Sequence, residues 1–415
     1  MSTSSSAFDL VQAAESLLAD AKRIAGHEED DPDDVQTRRK IAETCRKISF
    51  EIVPKVDVVK TQWTVIANAA VCNLFICWSA FDHIPLDGSI TISELAKALN
   101  AEESLISRLC NLLLSTSTLL PGPHPNSLSH SRISPLYLST SPVSSLHAVA
   151  IGNGMKPYSH WPQYFSSYGR RTPFNGQTHT PFSYSWGYPS LPPWEVKALF
   201  PEYASQFTQA MKSREIIGGN VQLVGREAIY DFSWVGLIQT NKVVVDVGGG
   251  LGQLLRDLIK SVEGLEGKDC VLQDRKEVID EAEKEREGEG LLKGVRMMEH
   301  DFHNVQPVKG ALVYILRRIL LDYSDDMAIN ILSKLADAMP TEKEDPKARV
   351  IIIEERLIEE PMALNRIVDL VMLNLGGKLR DEKMFRGLAK AAGLKVVKYH
   401  TRNGDPLCAV ECVKA

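Results

Sequence analysis

The chain has no Cys-x-x-Cys pair, no clean apolar run long enough to span a bilayer, and no block of basic residues. Each lack excludes something. The seven cysteines (Cys45, Cys72, Cys77, Cys110, Cys270, Cys408 and Cys412) are an odd number scattered along a long chain. That argues against a disulfide framework, and they read as reduced thiols used as small apolar fillers. The longest apolar stretch, Trp63 to Leu86, is interrupted by Asn68, Asn73, Asp82 and His83. It reads as a buried helix at a subunit interface and not as a membrane span. The start, Met-Ser-Thr-Ser-Ser-Ser, lacks the hydrophobic core of a targeting segment, so a cytoplasmic location is expected. A formal net charge of −6 without a basic run argues against nucleic acid as the main partner.

What is present is an ordinary globular composition, 44% hydrophobic and 24% charged over 415 residues. That length suits two or three domains. The most informative stretch is 243 to 253, Val-Val-Val-Asp-Val-Gly-Gly-Gly-Leu-Gly-Gln. Val243, Val244 and Val245 make a short buried strand, and Asp246 sits near its end. Gly248, Gly250 and Gly252 follow on alternate positions, and Leu254, Leu255, Leu258 and Ile259 then recur with helical spacing. Strand, glycine turn and helix form the first unit of a nucleotide-binding α/β domain. A dinucleotide site would read G-x-G-x-x-G around a pyrophosphate. An acid just before the turn would repel phosphate and suits a cation, such as the amino group of S-adenosylmethionine (SAM). Asp274 ends a second strand 22 positions beyond Gly252, where a ribose-binding acid is expected, about 20 residues on. Asp301 and Phe302 supply an acid and a ring suited to adenine.

Earlier in the chain, residues 7 to 26 and 35 to 54 have helical spacing, separated by an acidic break at 28 to 34. Residues 91 to 118 hold two more helices, and Ile133 to Leu138 is expected to form a wing. A winged helix invites a DNA-binding reading, but its second helix carries only Arg108 beside Glu102 and Glu103. A phosphate-binding face needs several cations, so a dimerisation role is favoured. Residues 152 to 203 are rich in turn formers and aromatics, among them Trp161, Tyr164, Phe165, Phe174, Phe182, Tyr184, Trp186 and Trp194. Such a segment can wrap an apolar ligand or simply pack between domains. From 243 onward, strands at 243–247, 270–273, 295–298, 311–316 and 349–354 alternate with helices, which implies a mainly parallel sheet. Late strands near 395–399 and 407–413 are expected to make an antiparallel edge hairpin across Asn403-Gly404-Asp405-Pro406. The domains expected are 1–150 (helical and winged helix), 151–235 (connecting helices and aromatic segment) and 236–415 (nucleotide-binding).

These residues resemble the plant-type small-molecule O-methyltransferases, the caffeate O-methyltransferase family, in a fungal form. The resemblance rests on Asp246 to Gly252, Asp301-Phe302, Leu316-Arg317-Arg318-Ile319-Leu320 and Gly376-Gly377-Lys378. It implies an α/β, class I SAM-dependent methyltransferase (Rossmann-like) domain behind a helical and winged-helix dimerisation domain, working as a homodimer. It also implies that Asp274 lies at the ribose, Asp301 and Phe302 at the adenine, and Arg317 beside SAM, with Arg275 a further cofactor-binding residue.

The pattern then breaks. Where the family reads Leu-His-Asp-Trp, with His as general base, this chain reads Leu320-Leu321-Asp322-Tyr323. Where the family has Gly-Gly-Lys-Glu-Arg, it has Gly376-Gly377-Lys378-Leu379-Arg380. Leucine accepts no proton, and general-base help is worth roughly 10²- to 10⁴-fold. Glu354, matching the family's other supporting acid, is kept. Losing a base while keeping the cofactor motifs resembles the SAM-dependent pericyclases of fungal natural-product pathways, which dehydrate and cyclise pyridone alcohols or quinone methides by electrostatic stabilisation in a dry pocket. That resemblance implies a non-methylating cyclase of a polyketide-derived substrate. His160 and Asp322 would be its catalytic pair, and Trp161, Met211, Leu321 and Met372 its pocket. The alternatives are an O-methyltransferase with another base or an acidic acceptor, and a catalytically dead SAM-binding partner.

Overall fold

The structure is a computed structural model that describes residues 9–27, 34–173, 178–217, 222–240, 242–288, 292–359, 363–402 and 405–415. Phe174, residues 28–33 of the acidic break, and the Asn403-Gly404 turn lie outside the described residues. The chain forms two compact units, Met1–Pro135 and Leu136–Ala415.

The first unit opens with helices Leu10–Ile24, Val35–Ile52 and Lys55–Cys77. Asp9 caps the first by accepting from the Gln12 amide at 3.0 Å. Helices Ile92–Ala98 and Glu103–Ser115 follow, the former opened by a capping box between Thr91 and Glu94. A small antiparallel sheet joins β1 (Ile90–Thr91), β2 (Leu119–Pro121) and β3 (Ser127–His130) in the order β1-β3-β2. The expected wing at Ile133–Leu138 is instead a 3₁₀ turn over Ser134–Tyr137, and the hairpin lies earlier, at β2 and β3. Pro135 explains this, since it cannot donate to a ladder. The apolar stretch from Trp63 is only partly buried. Cys72 and Phe75 are inside, whereas Trp63, Val65 and Ile66 are exposed within this chain.

The second unit is a seven-stranded sheet built from β4 (Val244–Val247), β5 (Cys270–Asp274), β6 (Arg296–Glu299), β7 (Val313–Arg317), β8 (Arg349–Glu355), β9 (Leu394–Thr401) and β10 (Leu407–Lys414). Their order is β6-β5-β4-β7-β8-β10-β9. β4 to β8 are parallel, and β10 pairs antiparallel with β8 and with the edge strand β9. Alternate residues feed two cores. Val245, Tyr314, Leu316, Val350 and Ile352 pack on one face, beneath helices Asp325–Ala338 and Glu382–Ala391. Val244, Val313, Ile315, Ile351 and Ile353 pack on the other, beneath helix Gln253–Ser261. The chain leaves β4 first to one side and then to the other, so the carboxyl end of β4 is a topological switch point, where α/β sheets bind ligands. Residues 136–240 belong to this same unit. They supply helices Met155–Tyr168, Pro181–Ser185, Pro193–Ala198 and Pro201–Ile217. No helix among the described residues is long and apolar enough to cross a membrane.

Candidate cofactor and acceptor site

At the end of β4 the Asp246 carboxyl group is almost wholly buried. The turn above it is shaped by that burial. A Cβ on Gly249 would lie 2.4 Å from Asp246 Oδ2 and 2.5 Å from Leu272 Cδ1, so only glycine fits there. The alternate glycines Gly248, Gly250 and Gly252 all have left-handed φ, and Gly252 caps helix Gln253–Ser261. Gly249 itself falls outside that alternation, and the run of three glycines was its only sign in the sequence. The amides of Gly248 and Gly249 donate to the Gln273 carbonyl at 2.8 and 3.1 Å, fastening the turn to β5.

Asp274 closes the same turn. It accepts from the Gly250 amide at 2.9 Å and the Arg275 amide at 2.8 Å. Burial nevertheless holds its carboxyl above the usual carboxylate range. Arg275 points outward and pairs with Glu277 at 3.2 Å. Asp301 is exposed after β6 and accepts from the His303 amide at 3.0 Å. The Phe302 ring lies 5.8 Å from that of Tyr323, and a Cβ on Gly248 would come within 3.3 Å of Phe302. The glycine turn, Asp274 and the Phe302 ring thus lie together at the carboxyl ends of the strands, where an α/β sheet is expected to form its ligand cleft, with Arg317 half-buried at the end of β7.

The neighbouring wall is built from residues 319–323 and 376–380. The Ile319 and Leu320 amides donate to Glu354 Oε1 at 2.9 and 2.7 Å. Burial, with the Asp322 charge adding to it, pushes the Glu354 carboxyl up to about 8. Arg380 is 1% exposed and donates to the Leu320 and Tyr323 carbonyls, both at 2.7 Å, and to Asp325 at 3.0 Å. Leu321 packs with Met372 and Leu379 in a small buried apolar cluster. The positions where the resembled family carries a base and its supporting acid therefore meet here as leucine on leucine. Asp322 is half-buried beside them.

The aromatic segment supplies the rest. Trp161 donates to Asn374 Oδ1 at 2.8 Å, tying helix Met155–Tyr168 to helix Ala363–Leu375, which carries Met372. Among the described residues, the His160 ring bonds only within its own helix, to the Lys156 carbonyl at 2.9 Å and to Ser159 Oγ at 3.1 Å. No hydrogen bond links it to Asp322. The Lys197 ammonium lies 4.6 Å from the Trp194 ring centre and 4.3 Å from that of Phe207. Phe207 stands one turn before Met211 on the Pro201–Ile217 helix, so the two share a face. Lys197, Phe207 and Asn374 had no recognisable signal in the sequence.

The fold and this cleft define a class I SAM-dependent methyltransferase domain behind a helical N-terminal region. The chain belongs to the O-methyltransferase family: the sequence model of the O-methyltransferase domain matches residues 172–395. Methyltransferase cfoD of Aspergillus candidus is 36% identical, covering 92% of this chain and 94% of its own. Among solved structures, OxaC in complex with sinefungin and meleagrin matches with a TM-score of 0.84 at 20% identity, over 98% of this chain and 99% of its own. A structure described as a pericyclic reaction enzyme matches with a TM-score of 0.78 at 20% identity, over 97% of this chain and 99% of its own. These two likenesses show the fold. The family's cofactor, SAM, fits the residues present, since side-chain-free glycines, a near-buried acid and a ring converge on one cleft.

Proposed function

We propose that this chain is a SAM-dependent methyltransferase of fungal secondary metabolism. It would act on a small polyketide-derived molecule whose acceptor group is acidic or is deprotonated by a group other than the family's histidine. SAM supplies an electrophilic methyl on a cationic sulfur. The glycine turn, with Asp246 beneath it, would hold its amino-acid end, Asp274 its ribose, Asp301 and Phe302 its adenine, and Arg317 one side, with Arg275 at the cofactor's edge. Trp161, Met211, Leu321 and Met372 would present the apolar acceptor. The observation that carries this reading is the glycine turn with Asp246, Asp274 and Phe302 gathered at the end of β4, in a chain 36% identical, over 92% of its length, to a relative named as a methyltransferase.

A second reading is supported by the Leu321–Met372–Leu379 cluster. An apolar wall in place of a base suits dehydration and pericyclic closure beside a cofactor held for its charge. On that reading Asp322 and His160 would polarise the substrate oxygens. Deleting the gene in its host separates the two. Accumulation of a metabolite lighter by one methyl supports methyl transfer. Accumulation of an uncyclised isomer, or of an alcohol heavier by one water, supports the cyclase and overturns the first reading.

A further inference from the structure

Gln273 and Gln306 are wholly buried and face each other, 33 positions apart in the chain. Their amides pair reciprocally. Gln273 Nε2 donates to Gln306 Oε1 and Gln306 Nε2 donates to Gln273 Oε1, both at 2.8 Å. Gln273 Nε2 also reaches Met298 Sδ at 3.2 Å, and the Val308 amide donates to Gln306 Oε1 at 3.0 Å. Two leucines would fill such a space without burying polar groups. A satisfied amide pair adds direction, because two opposed N–H···O bonds fix both separation and orientation. Gln273 joins three parts of the cofactor site. Its main-chain carbonyl holds the Gly248 and Gly249 amides, and its chain neighbour Asp274 holds the Gly250 amide at 2.9 Å. Its side chain holds Gln306, on the same turn as Asp301 and Phe302. Within that turn the His303 amide and Asn304 Nδ2 reach back to the Asp301 carboxyl group at 3.0 and 3.4 Å, so the acid moves with the turn.

Resting on the placement of the ribose at Asp274 and of the adenine at Asp301 and Phe302, we propose that Gln273 and Gln306 are positioning residues of the nucleoside site. Their pair sets the distance between the ribose acid and the base-reading turn, and so makes the site selective for a purine with an amino group at C6. The Asp301 carboxylate can accept from that amine. It meets an oxo group, as in hypoxanthine, with repulsion.

Titration calorimetry of the full chain with S-adenosylhomocysteine and with S-inosylhomocysteine, alongside thermal unfolding, tests this. No acceptor is present, so the outcome is independent of whether a methyl group moves. The wild type is expected to prefer the adenosine form, and Asp301→Asn to lose that preference. Gln306→Met leaves the Gln273 carbonyl oxygen without its partner, and should lower the unfolding temperature and cut the preference about tenfold. Gln273→Met with Gln306→Met removes both halves of the pair, so stability should largely recover while the preference stays low. A preference that returns with stability in the double variant, or one unchanged in Gln306→Met, overturns the positioning role and leaves the pair a part of the core. A wild type without preference, or an Asp301→Asn variant as selective as the wild type, removes the adenine placement and the proposal with it.

Discussion

The carbonyl oxygen of Leu321 lies 2.0 Å from where a Cβ on Gly377 would be. The Asp322 carbonyl carbon is 2.6 Å from the same point, and the Lys378 amide donates to the Leu321 carbonyl at 3.0 Å. The two segments that carry Leu321 and Leu379 are thus locked together backbone to backbone. Gly377→Ala is expected to destabilise the fold by about 2–3 kcal/mol, because the obstacle is main chain and cannot swing aside. Chemical denaturation measures this, and an unchanged midpoint would show that the contact is not tight.

Arg380 fixes the same wall from beneath. Arg380→Ala removes a buried donor from the Leu320 and Tyr323 carbonyls and leaves a cavity, with an expected loss of about 2–4 kcal/mol. Arg380→Lys should fall between, since one ammonium cannot reach all three partners in the fork geometry. Thermal unfolding of the two variants gives the order, and a Lys variant worse than Ala would contradict it.

Much of this was legible in the sequence, for definable reasons. The runs around Val244, Val271, Val313 and Val350 announce buried strands because a parallel sheet covered on both faces needs apolar residues at every position. Asp246, Gly248 and Asp274 fall in a pattern local enough to read. The wall at 319–323 was legible only as an omission, Leu321 and Leu379, and the structure adds that the two leucines pack together with Met372. What could not be read depends on distant pairings. Asn374 matters because Trp161, 213 residues away, donates to it. The wing was misplaced because Pro135, which cannot donate to a ladder, stands inside the stretch at 133–138.

Glu354 gives a pH prediction. Its folded carboxyl sits near 8, well above the ordinary 4.5. Across that interval the folded state binds more protons than the unfolded one, so this group's contribution to stability is present at low pH and is lost as pH rises towards 8. The slope is at most about 1.4 kcal/mol per pH unit. Glu354→Gln keeps an oxygen for the Ile319 and Leu320 amides and cannot ionise, so its stability should be flatter over the same window. Parallel slopes for the two proteins would show that Glu354 does not hold a proton in the fold.

Replacing the ribose acid tests the cofactor cleft itself. Asp274→Asn keeps the shape but weakens the acceptor, and a hydrogen bond to a charged group is worth about 1.5–3 kcal/mol. SAM affinity should fall roughly 10- to 150-fold while the fold remains intact by circular dichroism. Unchanged affinity would place the ribose elsewhere.

Leu321→His alone should not restore the family's base, because the ring would enter an apolar cluster where burial favours its neutral form and nothing orients it. The double substitution Leu321→His with Leu379→Glu supplies the partner acid, and the imidazole titration followed by NMR should rise from the single to the double variant. A ring pKa no higher in the double variant would show that the two positions do not face each other.

The most direct measurement is the fate of the methyl group. With SAM carrying a deuterated methyl and the metabolite that accumulates on gene deletion, we expect a product heavier by that labelled methyl and an equal amount of S-adenosylhomocysteine. Conversion of the metabolite to an isomer, or to a species lighter by one water, with the labelled SAM recovered intact, would contradict methyl transfer and leave this cleft holding its cofactor for charge alone.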